Sequence, residues 1–213
     1  MKFTETEMQM LTDIASKLSE FGAYIRQHRA EEILKEHNLI TDSTDFKIRS
    51  GASKYVIVFK KHDYVIKWST DDSVKKEAEI YDSAVHAKLD FVFPETIFLG
   101  TYESIPYSVQ SKIDYSAEEI PNQHKSKYLK MSKTVTWQIQ EKMERGFQIP
   151  NCGYNRELDL LWSKVFISLY GKAVAKKLCT FIRAHRINDL HTSNIGFLKQ
   201  RPIILDFCGY END

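Results

Sequence analysis

Cysteine is scarce in this sequence, and the spacing of the few cysteines limits what they can do. The 213-residue chain has three, Cys152, Cys179 and Cys208, and no two of them form a Cys-x-x-Cys pair. This spacing argues against a zinc site and against a disulfide framework, and it suits a reducing compartment. We therefore expect a cytoplasmic protein that binds no metal through cysteine.

Long apolar runs and an excess of charge of one sign are also missing. Stretches such as 55–59 and 165–170 are far shorter than the roughly 20 apolar residues that span a bilayer. Residues 1–10 lack the apolar centre of a signal peptide. Thirty Lys and Arg against twenty-nine Asp and Glu give a formal net charge of +1, whereas nucleic-acid-binding proteins are usually visibly basic. We therefore expect neither membrane insertion nor nucleic-acid binding.

The first half of the chain has the pattern of a small α+β domain. Hydrophobic residues make up 42% of the sequence, which is enough for an ordinary core. Residues 4–38 have apolar positions at three- and four-residue steps and predict two short helices, or one helix bent at Gly22. Short β-branched and aromatic segments then predict antiparallel strands, and Asp71 or Asp72 can cap a helix that runs to about Lys88. The predicted strands are Phe46–Ser50, Tyr55–Lys60, Tyr64–Ser69, Thr96–Tyr102 and Tyr107–Ile113.

The second half has a different pattern and predicts mainly helix. Residues 114–157 are polar and predict one helix near 123–145. Apolar positions from Leu158 onward predict a long buried helix that ends near Ala184. Two short strands, Ile195–Leu198 and Pro202–Leu205, complete the pattern. We therefore divide the chain into an N-terminal helical segment, a small lobe and a large lobe. Their ranges are 1–44, 45–113 and 114–213.

Oxygen-bearing side chains are concentrated near the end of the chain. Asp189 and Asn194 are five residues apart after the long helix, and Asp206 follows an apolar strand. Carboxylate and amide oxygens suit Mg²⁺, which usually also keeps phosphates and water as ligands. With Asn194 and Asp206 on the metal, Asp189 can orient an acceptor hydroxyl or take its proton. These are the parts that phosphoryl transfer needs.

The segment 189–194, with the sequence DLHTSN, resembles the catalytic loop of the protein-kinase-like superfamily. It is similar to the DLHxxN loop of aminoglycoside phosphotransferases and to the loop of early protein kinases of bacteriophages. The resemblance implies that Asp189 is the catalytic aspartate and that Asn194 is a metal ligand. It also implies that Asp206 is the metal-binding aspartate of a DFG-like element. In this element either Cys208 replaces the usual glycine or one residue is inserted before Gly209.

Upstream residues match further motifs of the same superfamily in the expected order. The strand Tyr64–Ser69 contains YVIK, which is similar to the VAIK strand, so Lys67 is implied to contact the α and β phosphates of ATP. The family places a glutamate on the next helix that pairs with this lysine. The register of the motif favours Glu77 over Glu79.

Residues 50–56 occupy the place of the glycine-rich loop, but they contain one glycine instead of two or three. The resemblance implies that Gly51, Ser53 and Lys54 contact the phosphates of ATP, with side chains replacing some of the backbone amides. The sequence leaves open a second interpretation, in which Gly51 is only a hairpin turn residue.

The resemblance implies a bilobal protein-kinase-like fold with an antiparallel-sheet small lobe and an N-terminal helical extension. The large lobe is expected to be truncated and mainly helical, because four residues follow Gly209 in this sequence. The implied activity is ATP- and magnesium-dependent phosphoryl transfer by a minimal Ser/Thr protein kinase in a bacterial or infected-host cytosol. A protein substrate or an activating partner protein is the expected macromolecular partner.

Three alternatives stay open at the level of the sequence. The chain can be a pseudokinase that holds a nucleotide or a protein without transfer, a small-molecule kinase, or a kinase-like fold that transfers a nucleotidyl group. Retention of Lys67, Asp189, Asn194 and Asp206 argues against the pseudokinase. The position of the label that reaches the acceptor, γ or α in ATP, separates a kinase from a nucleotidyl transferase.

Overall fold

The computed structural model describes residues 1–19, 25, 27–51, 53–116, 160–187, 190, 194–199 and 201–208. The predicted helix near 123–145, the bend at Gly22 and the predicted catalytic Asp189 lie outside the described residues. The chain divides into two compact units. The first comprises Met1–Asp82 and Glu95–Lys112, and the second comprises Ser83–Pro94 and Ile113–Asp213. The predicted division into 1–44, 45–113 and 114–213 stays a prediction.

The first unit begins with two helices, α1 (Glu5–Ser19) and α2 (Gln27–Glu36). A capping box starts α1, since the backbone N–H of Thr4 donates to the Glu7 carboxylate at 2.7 Å and that of Glu7 donates to the Thr4 hydroxyl at 3.2 Å. The predicted helical pattern of the N-terminal segment is therefore confirmed where the structure describes it.

The first unit also contains a five-stranded antiparallel sheet with the strand order β1-β2-β3-β5-β4. Its strands are β1 (Phe46–Ser50), β2 (Lys54–Phe59), β3 (Tyr64–Ser69), β4 (Thr96–Tyr102) and β5 (Ile105–Ser111). The five predicted strands are confirmed, although β5 begins two residues earlier and ends two residues earlier than the pattern indicated. Glu103 and Ser104 make the β4–β5 turn with positive φ angles of 48° and 68°.

The two faces of this sheet are covered differently. Because side chains alternate along a strand, Trp68 lies on one face of β3 and Lys67 on the other. The face of Trp68 packs against α1 and α2 in one hydrophobic core. The residues of this core that are fully buried include Leu11, Ile14, Leu34, Ile57, Ile66, Trp68, Tyr107 and Val109. The opposite face carries Lys67 and meets α3.

Helix α3 (Ser73–His86) follows β3 directly. The Asp71 carboxylate accepts a hydrogen bond from the Ser73 N–H at 3.0 Å, which confirms that one of the two predicted aspartates caps this helix. Near the end of this helix, the Val85 side chain is 46% exposed. Its neighbour Ala84 is fully buried, and adjacent helical positions point about 100° apart.

The second unit contains a 3₁₀ turn (Asp90–Val92), β6 (Tyr115–Ser116), α4 (Leu160–Ala184), β7 (Ile195–Leu198) and β8 (Arg201–Ile204). The three strands form a sheet in the order β6-β7-β8. The predicted long helix is present, but Gly171 interrupts it with φ 81° and ψ 162°. Both predicted C-terminal strands are confirmed, and the pattern missed β6.

The described residues therefore form an α+β structure with antiparallel sheets, as the sequence predicted at that level. In the part of the chain that the structure describes, no helix has the length and apolar character needed to cross a membrane.

Candidate functional site

A buried ion pair joins the sheet of the first unit to helix α3. The Lys67 ammonium lies 2.5 Å from Oε2 of Glu77, and the two residues are 6% and 0% exposed. Glu79, the other candidate, is exposed on the same helix. The contact that the register of the motif predicted, between Lys67 and Glu77, is therefore present. The catalytic role of the two residues stays a prediction.

The charge of Glu77 depends on the lysines around it. Burial by itself raises the pKa of this carboxyl, because a charged group loses its hydration there. The positive charges of Lys67 and Lys54, together with their hydrogen bonds, outweigh burial and lower the pKa to about 2. Glu77 is therefore a carboxylate at neutral pH.

Lys54, which the sequence placed in the phosphate loop, is the second lysine on Glu77. It is the first residue of β2, and its ammonium lies 2.9 Å from Oε1 of Glu77. The Gln110 amide also donates to Oε2 of Glu77 at 3.4 Å and to the Thr96 hydroxyl at 2.9 Å. Glu77 thus accepts hydrogen bonds from three elements of the first unit, β2, β3 and β5.

The turn between β1 and β2 has the geometry of a hairpin. The Gly51 N–H donates to the Lys54 carbonyl at 2.7 Å, and the Thr70 N–H donates to the Ser53 carbonyl at 3.0 Å. Among the described residues, a Cβ atom at position 51 would contact the Lys54 carbonyl alone, at an ordinary 3.8 Å. This geometry agrees with the interpretation of Gly51 as a hairpin turn residue. Contact of Gly51 with phosphate stays a prediction.

The Ser53 side chain is directed to another group of the first unit. Burial raises the pKa of Asp71, but hydrogen bonds from Ser73 and from the Ser53 side chain lower it below its usual value. Ser53 therefore helps to hold the start of α3 against the β1–β2 turn. A phosphate contact of Ser53 stays a prediction.

Sequence reasoning missed the polar residues of β5. Ser108 stands opposite Lys67 in the β3–β5 register, and Gln110 stands opposite Val65. Ser108 is fully buried, and within the described ranges its hydroxyl has no hydrogen-bond partner. A period-two alternation of polar Ser108 and Gln110 with apolar Tyr107 and Val109 is the signal that could have indicated a second functional face.

In the second unit, the two predicted metal ligands lie at the same end of the β7–β8 hairpin. The last ladder pair is Ile195 with Ile204, and the Leu205 N–H then donates to the Asn194 carbonyl at 2.7 Å. Asp206 is the next residue along the chain. A carboxylate and an amide at one hairpin end form a donor set that suits Mg²⁺.

Asp206 is one of the described non-glycine residues with a positive φ angle. Its φ is 43°, in the left-handed region that costs a non-glycine residue about 1 kcal/mol or more. The next residue, Phe207, is fully buried with its ring 4.9 Å from that of Phe93. The Cys208 thiol donates to the Asp206 carboxylate at 3.8 Å. Such conformations are enriched at functional sites.

Comparison of the chain with protein-family models, with curated proteins and with solved structures gave no match in any of the three. Functional assignment therefore depends on the residues and the geometry of the two units.

Proposed function

We propose that this protein is an ATP- and magnesium-dependent phosphotransferase with a protein-kinase-like fold, acting on a Ser or Thr hydroxyl of a protein. The observation that carries the proposal is the buried ion pair of Lys67 with Glu77. A lysine on a sheet, held out of water by a helical carboxylate, is positioned for phosphate oxygens. The oxygen donors Asn194 and Asp206 at one hairpin end support the same assignment.

The residues of the candidate site have different roles in phosphoryl transfer. Lys67 binds phosphate oxygens of ATP, and Glu77 orients Lys67. Asn194 and Asp206 are suited to hold Mg²⁺, which when bound neutralises charge on the phosphates. Asp189 orients the acceptor hydroxyl and takes its proton as the oxygen bonds to the γ phosphorus, while the bond to the β–γ bridging oxygen breaks and ADP leaves. Catalysis of this kind depends mainly on positioning and electrostatics.

A second candidate is a module that binds a nucleotide without transferring phosphate. The hydrogen bond between Gly51 and Lys54 favours it, because the Gly51 N–H already donates to the Lys54 carbonyl and is not directed to a phosphate. The two candidates share the binding step and differ in transfer.

Thermal unfolding with and without ATP and Mg²⁺ tests the binding step. Ligand at a hundredfold over its Kd adds about 2.7 kcal/mol to the free energy of unfolding, which raises the Tm by several degrees. We expect a magnesium-dependent rise for the wild type and for Asp63→Ala, an exposed control. We expect the rise to be lost in Asp206→Ala.

Labelled ATP then tests transfer. We expect label from the γ position to reach a protein acceptor in a lysate, and EDTA or Asp206→Ala to reduce the rate by orders of magnitude. Asp189→Ala should keep the thermal shift and lose transfer. Transfer that survives in Asp206→Ala contradicts the proposal. Label from the α position on the acceptor identifies a nucleotidyl transferase. Label from the γ position on a small molecule identifies a small-molecule kinase. A thermal shift without phosphate transfer identifies a binding module.

A further inference from the structure

Two lysines from different strands share one buried carboxylate in the first unit. Lys54 Nζ lies 2.9 Å from Oε1 of Glu77 and Lys67 Nζ lies 2.5 Å from Oε2. The exposed fractions of the three side chains are 12% for Lys54, 7% for Lys67 and 0% for Glu77. One carboxylate therefore brings two ammonium groups close together on the same face of the sheet.

The combined charge of Lys54, Lys67 and Glu77 favours binding of an anion. Two ammonium groups and one carboxylate sum to a charge of +1, and an electrostatic interaction is stronger in a poorly hydrated site than in water. Since an ammonium group has three N–H donors, each lysine can stay on Glu77 and also donate to a phosphate oxygen. The geometry suits a polyphosphate, whose neighbouring phosphates offer several oxygens to two cations.

The adjoining turn explains why a second lysine is useful. In a phosphate loop, backbone N–H groups surround the phosphates. Here the Gly51 N–H donates to the Lys54 carbonyl at 2.7 Å. The ammonium of Lys54, at the first residue of β2, belongs to the same hairpin and can donate to a phosphate where this backbone amide does not.

We propose that Lys54 is a second phosphate-binding lysine, which together with Lys67 holds a polyphosphate chain between two ammonium groups that share Glu77. The inference deepens the proposed function and depends on it for the identity of the natural ligand, the triphosphate of ATP. The shared chemistry is a polyphosphate chain, so inorganic tripolyphosphate is the simplest probe and ATP with Mg²⁺ is the second. A consequence is that Lys67→Met leaves one of two phosphate cations in place.

Titration calorimetry with tripolyphosphate, and separately with ATP and Mg²⁺, tests the inference on the full chain. We expect Lys54→Met and Lys67→Met each to weaken tripolyphosphate binding by about tenfold or more, the size of one lost hydrogen bond to a charged group. The double variant should show no binding. Lys47→Met, which removes an exposed lysine of β1 in the same sheet, should bind as the wild type does.

Two results would contradict the inference and leave the proposed function intact. A third would contradict the proposed function and leave the inference intact. If Lys54→Met binds both probes as tightly as the wild type while the wild type transfers the γ phosphate, Lys54 only clamps the hairpin to α3. If the wild type binds ATP and does not bind tripolyphosphate, the two lysines do not form a polyphosphate site. If tripolyphosphate binds through both lysines but no phosphate is transferred, the inference stands and the proposed function fails.

Lysine labelling of the wild type gives an answer that does not depend on whether a variant folds. Reductive methylation followed by mass spectrometry measures the reactivity of each lysine. We expect tripolyphosphate to slow labelling of Lys54 and Lys67 severalfold and to leave Lys47 unchanged. Equal labelling of Lys54 with and without tripolyphosphate overturns the inference.

Discussion

Glu77 is the carboxylate that both lysines of the candidate site in the first unit contact. It is fully buried, yet it is ionised because Lys67 and Lys54 contact both of its oxygens. Removing one partner of a buried ion pair usually costs more than the pair contributes, because an uncompensated charge stays behind. Glu77 therefore links the stability of the first unit to the arrangement of its two lysines.

The pKa of Glu77 predicts how the stability of the protein depends on pH. Its pKa is about 2 in the folded protein against an ordinary 4.5, so the unfolded state binds the proton more tightly. The contribution is complete above pH 4.5 and is lost as the pH falls toward 2. At about 1.4 kcal/mol for each pKa unit, it is on the order of 3 kcal/mol.

Urea unfolding of the wild type and of Glu77→Gln, measured from pH 7 down to pH 3, checks this expectation. The free energy of unfolding of the wild type should exceed that of the variant at pH 7, and the difference should shrink as the pH falls below 4.5. The matched control is Glu79→Gln, an exposed position of the same helix, which should follow the wild type. A difference that is constant over the whole range contradicts the assignment.

At the scale of elements, the N-terminal helices are part of the core that supports the sheet. Leu11 and Ile14 of α1 are fully buried in the same cluster as Trp68 and Tyr107. Without α1 and α2, this apolar face of the sheet would be exposed to water. The helices therefore stabilise the scaffold that carries Lys67 on the opposite face.

Truncation of one core residue of α1 should show this coupling. We expect Leu11→Ala to lower the free energy of unfolding by about 2–5 kcal/mol, because it removes buried methyl groups and leaves a cavity. Chemical denaturation measures the change, and Gln9→Ala, at an exposed position of α1, is the control with little expected effect. Equal stability of the two variants would mean that α1 does not support the sheet.

The strands of the first unit could be predicted from the sequence, whereas two features of the second unit could not. The observed β1 and β3 coincide with the predicted strands because their β-branched and aromatic residues are bounded by turn residues. The break of α4 at Gly171 was missed, since a glycine inside an apolar helical pattern does not by itself show whether its φ is positive. The two-residue strand β6 is too short for any periodicity to indicate it.

At the scale of the whole molecule, the net charge of the protein influences non-specific binding to charged polymers such as DNA. The formal net charge is +1, while binding to nucleic acid relies on many cations that displace counterions from phosphates. In the described part of the first unit, Lys54 and Lys67 share the carboxylate of Glu77. This arrangement suits a small polyphosphate better than the extended backbone of DNA.

Fluorescence anisotropy with a labelled duplex of about 20 base pairs tests this expectation for the full chain. In about 150 mM salt we expect no binding at protein concentrations below roughly 10 µM, the range in which non-specific DNA-binding proteins begin to bind. A saturable rise in anisotropy that weakens with added salt would contradict it.

Patterns in the sequence predicted most of the helices and strands that the structure describes, and the motif resemblance implied one contact between them. Local patterns of apolar residues indicated which segments are helix or strand. The resemblance of the YVIK strand and the helix after it to protein-kinase motifs implied the ion pair of Lys67 with Glu77. Only the tertiary structure decided that Lys54 and Gln110 also contact Glu77, across sequence separations of 23 and 33 residues. Strand order and register bring these residues together, and a local pattern does not show which distant side chain each of them contacts.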